Sequence, residues 1–245
     1  MVKMKKFFTV LGGMGTLATE SYVHLLNQRT PAKRDQDYLN YIIVNHATVP
    51  DRTGWILDHS KPDPLPVLLE DVKQQSLLKP EFLVLICNTA HYFYQKLQSA
   101  TDIPILNMLE ETVKAIAKVK PTAKRVGLLG TYGTLESEIY DDYITDAGYT
   151  LLKPNKEIMD MTEDLIYHDI KQKGHSDSNK YHHLVKKMTE EMNCDIVILG
   201  CTELSFAEAE SPETEYPVIS SQSVIVDKSL ELGMKQQKGK QLPHE

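Results

Sequence analysis

"KKFFTVLGGMGT" (Lys5–Thr16) and "AKRVGLLGTYGT" (Ala123–Thr134) follow one plan: a basic start, an apolar run of strand character, and a Gly-x-x-Gly-Thr turn. A second pair, "VLICNTAHYF" (Val84–Phe93) and "VILGCTELSF" (Val197–Phe206), repeats an apolar run that stops at cysteine and threonine and then turns helical. The interval from Thr16 to Thr134 is nearly that from Cys87 to Cys201. One such match is within the reach of chance; two in the same order indicate an internally duplicated chain.

Outward from these stretches, strands and helices alternate. Strands are predicted at Phe7–Leu11, Tyr41–Val44, Phe82–Ile86, Val126–Leu129 and Ile196–Leu199, with short ones near Ile103–Leu106 and Val218–Ile219. Apolar residues recurring at three and four predict helices over Leu17–Gln28, Val67–Leu78, Leu109–Lys118, Glu136–Ala147, Glu157–Lys173 and Tyr181–Met192. Short apolar strands between helices imply an α/β class: two similar doubly wound parallel-sheet domains, with ligands at the carboxyl ends of the strands. The expected division is 1–110 plus 218–245 for the first domain and 111–217 for the second. The last predicted helix, Gln222–Met234, returns to the first domain. The polar stretch Lys235–Glu245 is expected to fray, and Asp51–Pro66, rich in proline and charge, reads as a long loop of the kind that reads substrates.

The 245 residues, 41% apolar and 25% charged, fit an ordinary globular protein. A net charge of -7 with scattered lysines argues against a nucleic-acid partner. No apolar run approaches the ~20 residues of a membrane span, and Phe7–Leu11 is too short for a signal sequence, so a cytoplasmic protein is expected. Three cysteines match no zinc template, and the histidines show no metal-ligand spacing.

Gly13-Met14-Gly15-Thr16-Leu17-Ala18 fits G-x-G-x-x-A. The second strand, however, ends in Asn45 and His46, where a dinucleotide site needs an acid, so nicotinamide binding is disfavoured. A glycine turn at a helix start serves a carboxylate as well as a phosphate.

Cys87 or Cys201 taken singly reads as buried filler. Taken together, each stands at a strand end before a helix, where the helix dipole favours a thiolate. Two thiols facing across a cleft suit removal of a proton from one side of a carbon and delivery from the other. Cys194, at the remote end of its strand, reads as structural. Asn88, Thr89, Thr131, Thr134 and Thr202 are each default caps, yet five such groups at strand ends make a polar pocket. Arg52 and Lys171 are candidates to hold an anionic group.

In this order, "GGMGTLAT" (12–19), "HATVPDRT" (46–53), "CNTAHY" (87–92), "VGLLGTYGT" (126–134) and "GCTEL" (200–204) resemble the cofactor-independent aspartate/glutamate racemases, most closely the aspartate racemase branch. The likeness runs from about Phe7 to Val224 and departs at Thr16, where the family usually has proline. It implies a site between two similar domains, with Cys201 as the base for the L form and Cys87 for the D form. It also implies that Asn88, Thr89, Thr131, Thr134, Thr202 and Met14 hold the amino and α-carboxylate groups, while Arg52, Lys171 and Tyr167 meet the side-chain carboxylate. Neither pyridoxal phosphate, metal nor nucleotide is implied, and a homodimer is. The expected activity is aspartate racemisation, the alternatives being a glutamate or broad-specificity racemase and a non-catalytic amino-acid-binding protein.

Overall fold

The alternation of strands and helices builds two parallel four-stranded sheets in a computed structural model that describes Met4 and residues 6–238. The first sheet contains β1 (Phe8–Gly12), β2 (Tyr41–Asn45), β3 (Leu83–Leu85) and β4 (Ile105–Leu106), in the order β2-β1-β3-β4. The second contains β5 (Arg125–Leu129), β6 (Thr150–Leu152), β7 (Ile196–Leu199) and β8 (Val218–Ser220), in the order β6-β5-β7-β8. The same second-first-third-fourth order occurs twice, so the sequence repeat is a repeat of topology. In each sheet the first and third strands are parallel neighbours, Val10 opposite Val84 and Leu128 opposite Ile198. The order reverses there, which opens a crevice at the carboxyl ends of those two strands.

The helices are α1 (Thr16–Arg29), α2 (Arg52–Leu57), α3 (Leu65–Ser76), α4 (Tyr94–Gln98), α5 (Met108–Val119), α6 (Tyr132–Glu136), α7 (Asp141–Asp146), α8 (Lys156–Glu163), α9 (Ser178–Glu190), α10 (Thr202–Glu210) and α11 (Ser221–Lys238). They cover the sheets, so β1, β3 and β7 are buried along their whole length, and β3 and β7 read as unbroken apolar runs while β1 is interrupted by Thr9. Phe8 stacks on Phe82 at 4.7 Å within one core, while Tyr140 and Ile144 fill another. Among the described residues no helix is long and apolar enough to cross a membrane.

Helix α11 joins the halves. Tyr22 of α1 donates to Ser229 at 2.7 Å, Arg29 pairs with Asp227 at 2.8 Å, and Lys228 reaches Glu111 of α5 at 3.3 Å. The expected boundary after Pro217 falls a strand too early, because Val218–Ser220 pair with β7. Of the stretch expected to fray from Lys235, residues 235–238 belong to α11, and 239–245 lie outside the described residues.

Other expectations are corrected by local physics. The helix expected over 136–147 breaks into α6 and α7 around Glu138, whose φ of 54° is left-handed. The Asp51–Pro66 loop contains α2, capped by Asp51, and the start of α3. The edge strand β6 carries no clear sequence signal, being three half-exposed residues after a turn at Gly148. The helix expected over 157–173 is α only to Glu163; Asp164–Gln172 is π-helical, a geometry frequent at functional sites.

Candidate active site

All four turns after β1, β3, β5 and β7 point into one crevice between the sheets. The β1 turn needs glycine at Gly13: its φ is 88°, and a Cβ there would sit 2.4 Å from the His46 backbone. That tight turn presents Met14, whose carbonyl accepts from Arg52 Nη2 at 2.7 Å. Arg52 Nη1 also donates to Pro50 O at 3.2 Å and Val49 O at 3.5 Å, while its Nε is buried without a partner. Burial opposes the guanidinium charge, but the neighbouring Cys87 and Asp51 outweigh it.

A small cavity collects Met14, Asp51, Arg52, Thr53, Cys87, Asn88, Thr89, Thr131, Tyr167, Lys171, Cys201, Thr202 and Glu203. Its volume is about 10 Å³, room for one water and far less than an amino acid needs. Beside it lies a wider vestibule of about 370 Å³ that shares Met14, Asp51, Arg52, Tyr167, Lys171 and Glu203 and continues along the glycine turn.

The two halves meet through hydroxyl groups. Thr89 pairs with Thr131 at 3.1 Å and with Thr134 at 2.9 Å, and Thr53 donates to Thr131 at 3.0 Å. Asn88 is anchored between the halves: its amide donates to Ser221 at 2.9 Å, and its oxygen accepts from Tyr140 at 2.6 Å. Thr134 is buried in the hydroxyl cluster and is not among the cavity-lining residues.

Cys87 and Cys201 are both buried and both line the cavity, but their surroundings differ. Cys87 precedes a 3-10 turn (Thr89–Phe93) and lies beside Arg52. Cys201 caps α10, and its Sγ donates to Glu203 Oε2 at 2.9 Å. Burial, and then the Glu203 carboxylate, push the Cys201 thiol well above its ordinary range, opposite to the direction expected from the helix dipole alone. The other Glu203 oxygen, Oε1, is 3.7 Å from Lys171 Nζ. Lys171 sits over the Tyr167 ring, 4.3 Å from its centroid. Burial would lower the Lys171 ammonium, but Glu203, Tyr167 and Cys201 reverse this and raise it.

Every site residue expected from sequence except Thr134 therefore lines this one cavity. Sequence reasoning passed over Asp51, Thr53 and Glu203, although all three lie within the quoted PDRT and GCTEL stretches. Cys194 packs elsewhere: a Cβ at Gly127 would lie 2.7 Å from its sulfur, and burial pushes its thiol up to about 12.

His91 supports the Cys87 turn from behind as a neutral ring. Its Nδ1 donates to the Cys87 carbonyl at 2.8 Å, and its Nε2 accepts the Met108 N–H at 3.0 Å. Burial holds its pKa down to about 4. An unfolded histidine protonates near about 6.5. As pH falls from about 6.5 to about 4, the unfolded chain therefore takes a proton that the folded chain refuses, and stability declines through that window. The full window corresponds to roughly 3 kcal/mol. Urea unfolding at about pH 7 and about pH 4 should show the wild type losing roughly that much more than a His91→Gln variant. Equal losses would contradict the neutral-ring assignment.

Comparison with known proteins agrees with this geometry. The Asp/Glu/Hydantoin racemase family model matches residues 11–228. A broad specificity amino-acid racemase, RacX of Bacillus subtilis, is 27% identical over 222 residues, covering 88% of this chain and 93% of the relative. The fold is similar to that of the Picrophilus torridus aspartate racemase, with a TM-score of 0.73, 24% identity and coverage of 92% and 94% of the two chains. It is similar also to an aspartate racemase homologue from Pyrococcus horikoshii, with a TM-score of 0.74, 22% identity and coverage of 94% and 100%. With its repeated sheets, its shared crevice and a family match spanning most of its length, the chain belongs to the Asp/Glu/Hydantoin racemase family.

Proposed function

We propose that the protein interconverts L- and D-aspartate without a cofactor, using Cys87 and Cys201 as a two-base pair. The observation that carries this reading is that both thiols and two cations, Arg52 and Lys171, line a single cavity between the halves. One sulfur, as thiolate, takes the Cα proton, and the electron pair left on Cα spreads into the α-carboxylate. The other sulfur, as thiol, returns a proton to the opposite face. Each turnover inverts the carbon and moves one proton from one cysteine to the other.

The α-proton is weakly acidic, so the developing charge needs donors fixed beforehand. The Thr53, Thr89, Thr131 and Thr134 hydroxyls bond one another across the crevice and would exchange those bonds for a carboxylate. Thr202 and the main chain at the start of α10 border the same space, with Asn88 bracing it. A second carboxylate fits between the Arg52 guanidinium and the Lys171 ammonium, which line the same cavity, with Tyr167 beneath Lys171.

A broad-specificity racemase is the second reading, favoured by the likeness to the Bacillus subtilis relative. Rates on L-aspartate, L-glutamate and L-alanine separate the two. One methylene in a pocket is worth only about 1–3 kcal/mol, so glutamate is the close competitor and alanine the distant one. Arg52→Ala should reduce kcat/KM for aspartate by about 10²-fold or more, the scale of a lost charge-assisted pair. It should reduce alanine turnover much less, and equal losses on both would remove Arg52 from side-chain recognition. The proposal extends, on the family likeness, to a cytoplasmic homodimer of two-domain subunits, the second domain running from 111 on to Ser220 and α11 returning to the first. A monomer mass by light scattering would remove the dimer.

A further inference from the structure

Glu203 is a buried carboxylate, 3% exposed, which the racemisation scheme above does not use. Its placement is specific. Oε2 accepts from Cys201 Sγ at 2.9 Å and from Thr202 Oγ1 at 3.2 Å. Oε1 faces Lys171 at 3.7 Å and packs against the glycine turn, where a Cβ at Gly15 would lie 3.1 Å away. Glu203 lines both the closed cavity and the vestibule, so one oxygen touches the reacting thiol while the carboxylate borders the wider space. Among the described residues no carboxylate is hydrogen-bonded to Cys87, which lies beside the Arg52 guanidinium.

The two thiols are therefore electrostatically unequal although the fold around them is repeated. We propose that Glu203 holds the proton on Cys201 in the resting enzyme, making Cys201 the resting acid and Cys87 the resting base. We further propose that Glu203, through its vestibule-facing oxygen, carries that proton back to Cys201 after each turnover.

The second role follows from proton balance and rests on the racemisation reading. Turnover of the enantiomer whose α-hydrogen faces Cys87 leaves Cys87 as thiol and Cys201 as thiolate. Another turnover in that direction requires Cys87 to lose a proton and Cys201 to regain one. Glu203 is the one carboxylate bonded to a cavity thiol among the described residues, and it borders the vestibule. Once product leaves, Cys87 releases its proton to the entering water, and Glu203 takes a proton from vestibule water and passes it to the Cys201 sulfur; one proton lost and one gained restore both groups without an added reactant.

The groups facing Cys201 and Glu203 set the sign of a test. From the π-helix come Lys171 and Tyr167; from the α2 turn, Asp51 and Arg52; from the first sheet, Cys87; and from behind, Tyr140. Glu203 opposes a Cys201 thiolate and Lys171 favours it. In a Cys87→Ser, Cys194→Ala background Cys201 is the one thiol left of the chain's three, and its rate of alkylation by iodoacetamide as a function of pH follows thiolate formation. Adding Glu203→Gln, which keeps the shape, should move the Cys201 titration to lower pH by about one unit or more. Adding Lys171→Met should move it to higher pH by a similar amount.

General packing damage would not produce shifts of opposite sign. An unmoved titration in Glu203→Gln, or shifts in the same direction in both variants, would overturn the proposal. In the enzyme with both cysteines, Glu203→Gln should lower kcat/KM about tenfold or more. Free enantiomers have equal energy, so that loss must be equal in both directions, while the ratio of the two KM values changes. An unchanged KM ratio would overturn the resting assignment. The titration needs no substrate, so its outcome is separate from that of the racemase reading: wild-type protein that exchanges no α-proton would remove racemisation and the relay with it, whereas an unmoved titration removes Glu203 alone.

Discussion

Cys87→Ser and Cys201→Ser should each lower racemisation by about 10³-fold or more, the scale of a lost acid or base in proton transfer. A serine hydroxyl is far less acidic than a thiol, so neither substituted side can take the α-proton near neutral pH. The fold should persist, because serine keeps the shape of a side chain that makes no disulfide. At Cys201 the new hydroxyl can still donate to Glu203, as the thiol does at 2.9 Å. At Cys87 the carbonyl that anchors His91 belongs to the main chain and is unchanged by the substitution. Chiral chromatography of the product and a thermal melt check the two halves of this expectation. Near-normal turnover in both variants would contradict the two-base scheme.

Gly133→Ala should also have a large effect, although the residue bears no functional group. A Cβ at Gly133 would stand 2.7 Å from both the Cα and the Oγ1 of Thr53, so α6 can lie against α2 only because this position is glycine. The same contact holds the Thr53–Thr131 bond across the crevice. Alanine must push the two short helices apart and pull the hydroxyl cluster out of register. Misplacement of about 1 Å in such a site costs on the order of 10²-fold in rate, so kcat/KM should fall by about that factor. Overall stability should change little, since alanine favours helix by about 1 kcal/mol over glycine and offsets part of the local strain. Steady-state kinetics beside a thermal melt tests this, and full activity in the variant would show that closure of α2 on α6 is not required.

The cavity volume gives that prediction its meaning. A space of about 10 Å³ cannot admit an amino acid, so substrate must enter by separation of the halves near these contacts. Tyr167, which donates to Asp51 across the mouth at 3.5 Å, and the Thr53–Thr131 bond are among the polar links that such an opening breaks.

Much of this was legible in the sequence because buried parallel strands force near-continuous apolar runs. Phe8–Gly12, Leu83–Leu85, Arg125–Leu129 and Ile196–Leu199 stand out for that reason, and their glycine or cysteine ends mark the site. What stayed hidden depends on tertiary contact. Helix α2 has a glycine and a β-branched threonine in only six residues; it holds through the Asp51 cap, the Thr53–Thr131 bond and the packing of Trp55 on Phe93 at 5.4 Å. The π-helix that carries Tyr167 and Lys171 keeps an apolar spacing compatible with an ordinary helix, so its register is not written in the pattern. Glu203 looked like one more residue of the GCTEL stretch, because nothing in linear order reveals that its two oxygens divide between a sulfur and an ammonium.

The central claim, racemisation by this chain alone, is tested most directly by incubating the metal-free and cofactor-free protein with L-aspartate in D2O. The α-proton signal is followed by NMR and the D/L ratio by chiral chromatography. The account predicts loss of the α-proton signal towards zero as deuterium replaces it, together with accumulation of D-aspartate until the two enantiomers are equal. An unchanged α-proton and no D-aspartate, with the same outcome on glutamate and alanine, would contradict it.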